Sequence, residues 1–222
     1  MSRRSPFIAI ALLLCFTSPA SARQDVGTLI TKMQEKYGGL KGASAPYTRE
    51  VISRSMVMMG GKVSGDLASG RLFFQAPHFM RMDQEEPTHE TLVTDGHTLW
   101  WYLPDKKTAY KYPAEKFGKE LNLLGDLFQG LKGVEKRFQI TLLEPGKANT
   151  FRLKLTPTPA WEQVDHLVLG LSRSFDIQLL EIHNLLGSVT RFTIKDLKPA
   201  GPFKQGFFKL QVPEDVKVIE ED

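Results

Sequence analysis

Apolar residues first fall into a helical rhythm at Val26, Leu29, Ile30, Met33 and Tyr37. Spacings of three and four put all five on one stripe of an α-helix. Asp25 is placed to cap its start, and Gly38-Gly39 end it. A single stripe on a lone helix has to be covered, and a sheet is the expected cover. The period then shortens. Residues 47–59 and 63–74 read as two long strands around Gly60-Gly61, and a third runs from Pro77 to Asp83. Residues 91–94 and 98–103 flank Asp95-Gly96-His97. Asp-Gly between apolar runs predicts a tight hairpin, because glycine takes positive φ without steric cost. Residues 107–112 continue the meander past Pro104-Asp105.

The middle changes character. Phe117, Leu121, Leu124, Leu127, Phe128 and Leu131 keep near-helical spacing, interrupted by Gly118, Gly125, Gly130 and Gly133. This predicts two short helices with glycine joints. Strands resume at residues 138–143, 150–156, 166–171, 177–183, 188–197 and 207–211, between turn signals at Pro145-Gly146, 157–159 and 184–187. About a dozen short strands around two helical elements predict a mainly β, α+β fold. Its architecture is a single curved antiparallel sheet, an unclosed half-barrel, with the N-terminal helix and the helical middle against its inner face.

Ahead of these elements, Arg3 and Arg4 precede an apolar run over residues 7–16, followed by Ser18-Pro19-Ala20-Ser21-Ala22. Charge, apolar run and a small-residue A-x-A ending predict a cleavable secretory signal over residues 1–22. The run falls short of the ~20 apolar residues that cross a bilayer as a helix. Residues 23–222 are then one exported, soluble domain. Cys15, the only cysteine, follows Leu14 where a lipidation signal carries a small residue, and it leaves with the leader. No disulfide can then form, and the core alone must hold the fold. The chain carries 29 basic and 25 acidic residues, two of the basic ones in the leader. So mild a balance gives no argument for nucleic acid or an anionic membrane surface.

Chemistry-bearing motifs are sparse. His78, His89, His97, His166 and His183 do not pair at metal-ligand spacing. Gly60-Gly61-Lys62 lacks the spacing of a phosphate loop, and no G-x-S-x-G elbow occurs. The expectation is a protein that is not an enzyme and uses no metal or cofactor.

Three segments resemble the outer-membrane lipoprotein carrier (LolA) family. They are Gly70-Arg71-Leu72-Phe73-Phe74-Gln75-Ala76-Pro77-His78-Phe79-Met80-Arg81-Met82, then Leu92-Val93-Thr94-Asp95-Gly96-His97-Thr98-Leu99-Trp100-Trp101-Tyr102-Leu103-Pro104, and finally Phe207-Phe208-Lys209-Leu210-Gln211-Val212-Pro213-Glu214-Asp215-Val216. The order of elements matches over roughly residues 24–220. The resemblance implies a half-barrel whose helical lid encloses an apolar cavity for the acyl chains of lipoproteins. It implies a monomeric periplasmic chaperone. Such a carrier receives cargo from an inner-membrane ABC release complex and passes it to an outer-membrane acceptor. In many members an arginine before the strand proline latches the lid, but this chain has Ala76 there.

The acyl-chain wall is assigned to Met80, Met82, Leu92, Trp100, Tyr102, Leu124 and Phe128, with Arg81 and Arg71 as candidate lid contacts. Each apolar member is equally readable as plain core. So are Met56, Met58 and Met59, whose flexible thioethers also suit variable partners. Strand alternation lets only one parity of Trp100, Trp101 and Tyr102 face inward. Two other readings stay open: a lipid-binding or envelope-sensing module on the same sheet, and a hydrolase whose site the sequence does not display.

Overall fold

The computed structural model describes residues 25–58, 65–114, 119–146 and 150–221. The expected leader lies outside them, as do Met59, the Gly60-Gly61 turn, Phe117 and Gly118. Helix α1 is Val26–Tyr37, with Leu29, Met33 and Tyr37 buried. Asp25 Oδ1 accepts from the Thr28 backbone N–H at 2.7 Å, which satisfies one of the open donors of the first turn.

Strand β1 is Gly42–Ile52, earlier and shorter at its end than the pattern predicts. Ser53 ends it. Its carbonyl accepts from Val57 N–H and its hydroxyl from Met56 N–H, turning the chain into the short helix α2, Arg54–Met58. Met56 and Met58 therefore leave the sheet, and Met58 is 78% exposed. The meander follows: β2 Asp66–Gln75, β3 Phe79–Glu86, β4 Glu90–Thr94, β5 Thr98–Leu103 and β6 Thr108–Pro113. The predicted hairpin forms. The Asp95 carboxylate accepts from the backbone N–H groups of His97 and Thr98, both at 2.9 Å. Gly96 supplies a φ of 91°.

The helical middle consists of α3, Lys119–Leu127, and a single 3-10 turn, Val134–Lys136. Then come β7 Phe138–Leu142, β8 Phe151–Pro157, β9 Val164–Leu171, β10 Ile177–Asn184 and β11 Val189–Ile194. A two-residue β12, Lys198–Pro199, lies beside β1, and β13 is Lys217–Glu220.

Among the described residues these strands form one sheet in the order β13-β6-β5-β4-β3-β2-β1-β11-β10-β9-β8-β7. The ladders are antiparallel except β13, which runs parallel to β6. The terminal strands β13 and β7 are not paired with each other, so the sheet stays unclosed, as the pattern predicts. Helices α1 and α3 share one face with a continuous core, from Leu29 and Met33 through Leu124 and Phe128 to Leu153, Leu167 and Leu180. We call this the inner face.

The strand expected over residues 207–211 does not form. Phe207 N–H donates to the Lys204 carbonyl and Lys209 N–H to that of Gly206, a run of turns. Phe203, Phe207 and Phe208 instead pack together and against Phe73 and Phe79 on the outer face. Packing three rings together, with Phe208 buried, outweighs a ladder for so short a segment.

Candidate functional site

Register sorts the inner face of β1–β6 into tiers. Cα partners across a ladder point the same way. Ala43, Phe74, Met80, Thr94 and Leu99 form the first tier. Ala45, Leu72, Met82, Leu92 and Trp101 form the second. Tyr47, Gly70, Gln84 and Glu90 form the third, and Arg49 with Ala68 begins the fourth. Apolar character thus gives way to polar character along the strands. Gly70 is required by close approach, since a Cβ there would lie 2.0 Å from the Asp83 carbonyl oxygen.

The apolar tiers lie beneath α3. The rings of Phe74 and Phe128 stand 5.6 Å apart, and Leu123, Leu124, Leu127 and Phe128 are all buried. Just past α3, Gln129 Nε2 donates to the Pro77 carbonyl in the β2–β3 turn at 2.9 Å. Arg137 pairs with Asp126 at 2.5 Å just behind it. Burial raises the Asp126 carboxyl above its ordinary range, against the Arg137 bond. Gly130 packs on α1, where a Cβ would meet the Met33 carbonyl oxygen and Gln34 Cα at 2.7 Å. The glycines at 125 and 130 are therefore places where neighbours come close: Phe74 for the first and α1 for the second.

Five of the seven residues assigned to the acyl wall come together: Met80, Met82, Leu124 and Phe128 are buried, and Leu92 packs on them. Trp100 and Tyr102 do not join them. Met82 pairs with Leu92 and Leu92 with Trp101, so Trp101 takes the inner position while Trp100 and Tyr102 face outward. The hairpin explains the slip. Thr94 pairs with Leu99, because Asp95 draws Thr98 into the turn. A one-residue change of register moves every side chain to the other face.

Arg81 and Arg71 are not lid contacts. They alternate with Met82 and Leu72, and so lie on the outer face. Arg81 bonds Asp83 at 2.8 Å and the Phe207 carbonyl at 3.2 Å, with its guanidinium over the Phe207 ring. Arg71 lies over the Phe73 ring.

Sequence reasoning gave the inward parity to Trp100 and Tyr102 rather than Trp101 and missed Tyr110 and Tyr112; Trp101, Tyr110 and Tyr112 continue the inner face as a stacked aromatic row. It also missed Gln129 and the polar tiers. Glu90 accepts from Trp101 Nε1 at 2.9 Å. Arg49 Nη2 donates to Gln84 Oε1 at 3.1 Å.

A second polar group lies on the outer face across β1, β8, β10 and β11. Glu181 accepts from Arg191 at 2.8 Å and approaches Arg152 and His183, while Arg191 also bonds Glu50 at 2.9 Å. Burial works against the Glu181 charge. The bonds from His183 and Arg191 outweigh it, and the carboxyl falls to about 2. His166 and His183 stack at 4.2 Å across β9 and β10. Burial, with His183 close by, holds the His166 imidazole below its usual value despite Asp165. Among the described residues no group of three or more His, Cys, Asp or Glu side chains is arranged to hold a metal ion.

The solved structure of an uncharacterized conserved protein from Thermus thermophilus superposes with a TM-score of 0.54 at 11% identity, covering 89% of this chain and 100% of its own. That likeness concerns the fold. An outer-membrane lipoprotein carrier protein of Alkalilimnicola ehrlichii is 30% identical over 155 residues, 69% of this chain and 68% of its own length. One from Nitrosospira multiformis is 26% identical across the full length of both chains. The sequence profile described as outer membrane lipoprotein carrier protein LolA matches residues 57–211, a stretch that holds the inner tiers from β2 to β6, α3 and the strands through β11. The chain belongs to the LolA family.

Proposed function

We propose that this protein is a periplasmic chaperone that carries acylated lipoproteins from an inner-membrane release complex to an outer-membrane acceptor. One observation carries the reading. The apolar tiers around Phe74, Met80 and Met82 lie under a short helix whose buried side is leucine and phenylalanine, on a sheet that does not close. Such a compartment takes up hydrocarbon when its lid lifts. Each buried CH₂ is worth about 0.8 kcal/mol, so a few acyl chains suffice to displace the lid from the sheet. The same side chains pack as core without cargo. The relatives' names support lipoprotein as the cargo. The Gln129 tether at Pro77 stands where the family's arginine is replaced by Ala76, and supports a lid held by a different bond.

The test is release. Purified protein lacking residues 1–22 is incubated with inner-membrane spheroplasts, and the supernatant is examined for a soluble complex between the protein and a lipoprotein. The expected result is such a complex, together with lipoproteins stranded in the inner membrane when the protein is depleted. No complex and unchanged lipoprotein sorting would overturn the reading. An altered envelope response without sorting defects would point to a sensing module.

A further inference from the structure

At the polar end of the inner face stands an arginine with an unmatched donor. Arg49 Nη2 donates to Gln84 Oε1, and Gln84 Nε2 is fixed on the Thr88 carbonyl at 3.0 Å. The guanidinium is therefore held in place. Among the described residues its Nε is nevertheless buried without an acceptor. Across the ladders Arg49 is flanked by Ala68 and Phe192, which offer none. Glu90, on the same face, is engaged by Trp101 Nε1 and the Thr88 hydroxyl. A buried donor left unpaired carries a desolvation cost, and native structures rarely keep one without a purpose. Arginine also stays charged at any ordinary pH and offers no acceptor of its own. The missing partner is an oxygen.

We propose that Arg49 receives the oxygen-bearing end of an acyl chain, an acyl carbonyl carried either by the ester of a lipoprotein's glyceryl group or by the carboxylate of a free fatty acid. The assignment rests on the reading of the inner face as an acyl-chain site. Its geometry follows the tiers. From Ala43, beside Phe74 and Met80, to Arg49 the strand covers about 20 Å, apolar at the first end and polar at the other. Hydrocarbon lies along the first two tiers and the carbonyl reaches the last. The tier between them is lined on its β1 side by the neutral Tyr47 phenol, which burial pushes up to about 12. Gln84 positions the guanidinium. Arg49 thus distinguishes an acyl group from a bare alkyl chain, a distinction the apolar tiers cannot make.

Binding of three probes by the full processed chain tests this. The probes are a synthetic dipalmitoylglyceryl-cysteine peptide, palmitate, and hexadecane, which has no oxygen. Each displaces an apolar fluorescent dye from the wild type and from Arg49→Met and Arg49→Lys, with folding checked by thermal unfolding. Arg49→Met is expected to weaken at least one oxygen-bearing probe roughly tenfold, the size of one charge-assisted hydrogen bond, and to leave hexadecane unchanged. Arg49→Lys should recover part of the loss. The probe that weakens identifies the ester or the free acid as the source. If Arg49→Met fails to fold, Gln84→Ala, which frees the guanidinium, should give the same selective loss. Equal weakening of all three probes would mark a structural residue and overturn the proposal, as would no weakening. In the latter case acyl binding itself would stand. Failure of the wild type to bind any probe would sink both readings.

Discussion

Trp100 and Trp101 are neighbours of the same type, yet they face opposite sides of the sheet. Nothing in their identity decides which is inward. The decision lies in the Asp95 carboxylate, which holds two backbone N–H groups and fixes where pairing begins. Met80 and Met82 are readable because they are apolar, share one parity and sit in a segment that resembles the family's, and both are buried. Arg49 was not readable, since one charged residue near a strand's end looks like a solvated one. The Glu181 network was equally hidden: its members meet only across four strands. Its consequence is measurable. Glu181 titrates at about 2 in the folded chain, below its ordinary value. Its contribution is therefore complete above the carboxylate's unfolded value, near 4.3, and fades as pH falls toward 2. Chemical denaturation from pH 6 downward should show stability held at first and dropping once the pH falls below about 4.3. Glu181→Gln should flatten the drop and lose about 2 kcal/mol at neutral pH, because its charged bonds to Arg191 go. An unchanged pH profile would show that the network is not coupled to folding.

Helix α3 was legible as a helix from its leucine spacing, and its position over β2 and β3 follows from having only apolar residues to bury. What the glycines do was less legible. A Cβ at Gly125 would meet Phe74 at 3.6 Å, an ordinary contact. Gly125→Ala should therefore raise the melting temperature, reflecting about 1 kcal/mol of recovered helix propensity. Gly130→Ala should do the reverse. Its φ of 76° is unsuited to alanine, and the new methyl would press on α1 backbone. The pair separates a tolerated glycine from a required one, and equal effects would contradict the packing described. Gln129→Ala removes the tether to Pro77. One neutral hydrogen bond, about 1 kcal/mol, should speed amide exchange in α3 roughly fivefold while leaving the β4–β5 hairpin unchanged. Uniform exchange across both elements would mean that α3 does not open on its own. Leu131, just beyond, holds a φ of 60° with its side chain fully buried. Such backbone strain persists only where packing compensates it.

At the scale of the molecule, alternation, turn signals and one helical stripe sufficed for an open antiparallel sheet with helices on one face. Strand order was not available from those signals. The chain runs outward from β1 to β6, then starts again at the far edge with β7 and steps inward in the same direction to β11, beside β1. The C-terminal phenylalanines and β13 cannot be placed from local pattern, because their partners, Phe73, Phe79 and β6, are remote in sequence. This order has a consequence for how the protein is made. β1 is the first strand synthesised and sits in the middle of the finished sheet, with β2 on one side and β11 on the other. A nascent chain can complete β1 to β6 and still present the Tyr47–Ile52 side of its oldest strand, unpaired, until residues 189–194 arrive. That side is a template for other chains. Pulse-labelled refolding should protect the β1 amides facing β2 before those facing β11. Chains stopped short of β11 should associate through that open seam, so the arrival of residues 189–194 decides whether the product is a single molecule or a cluster.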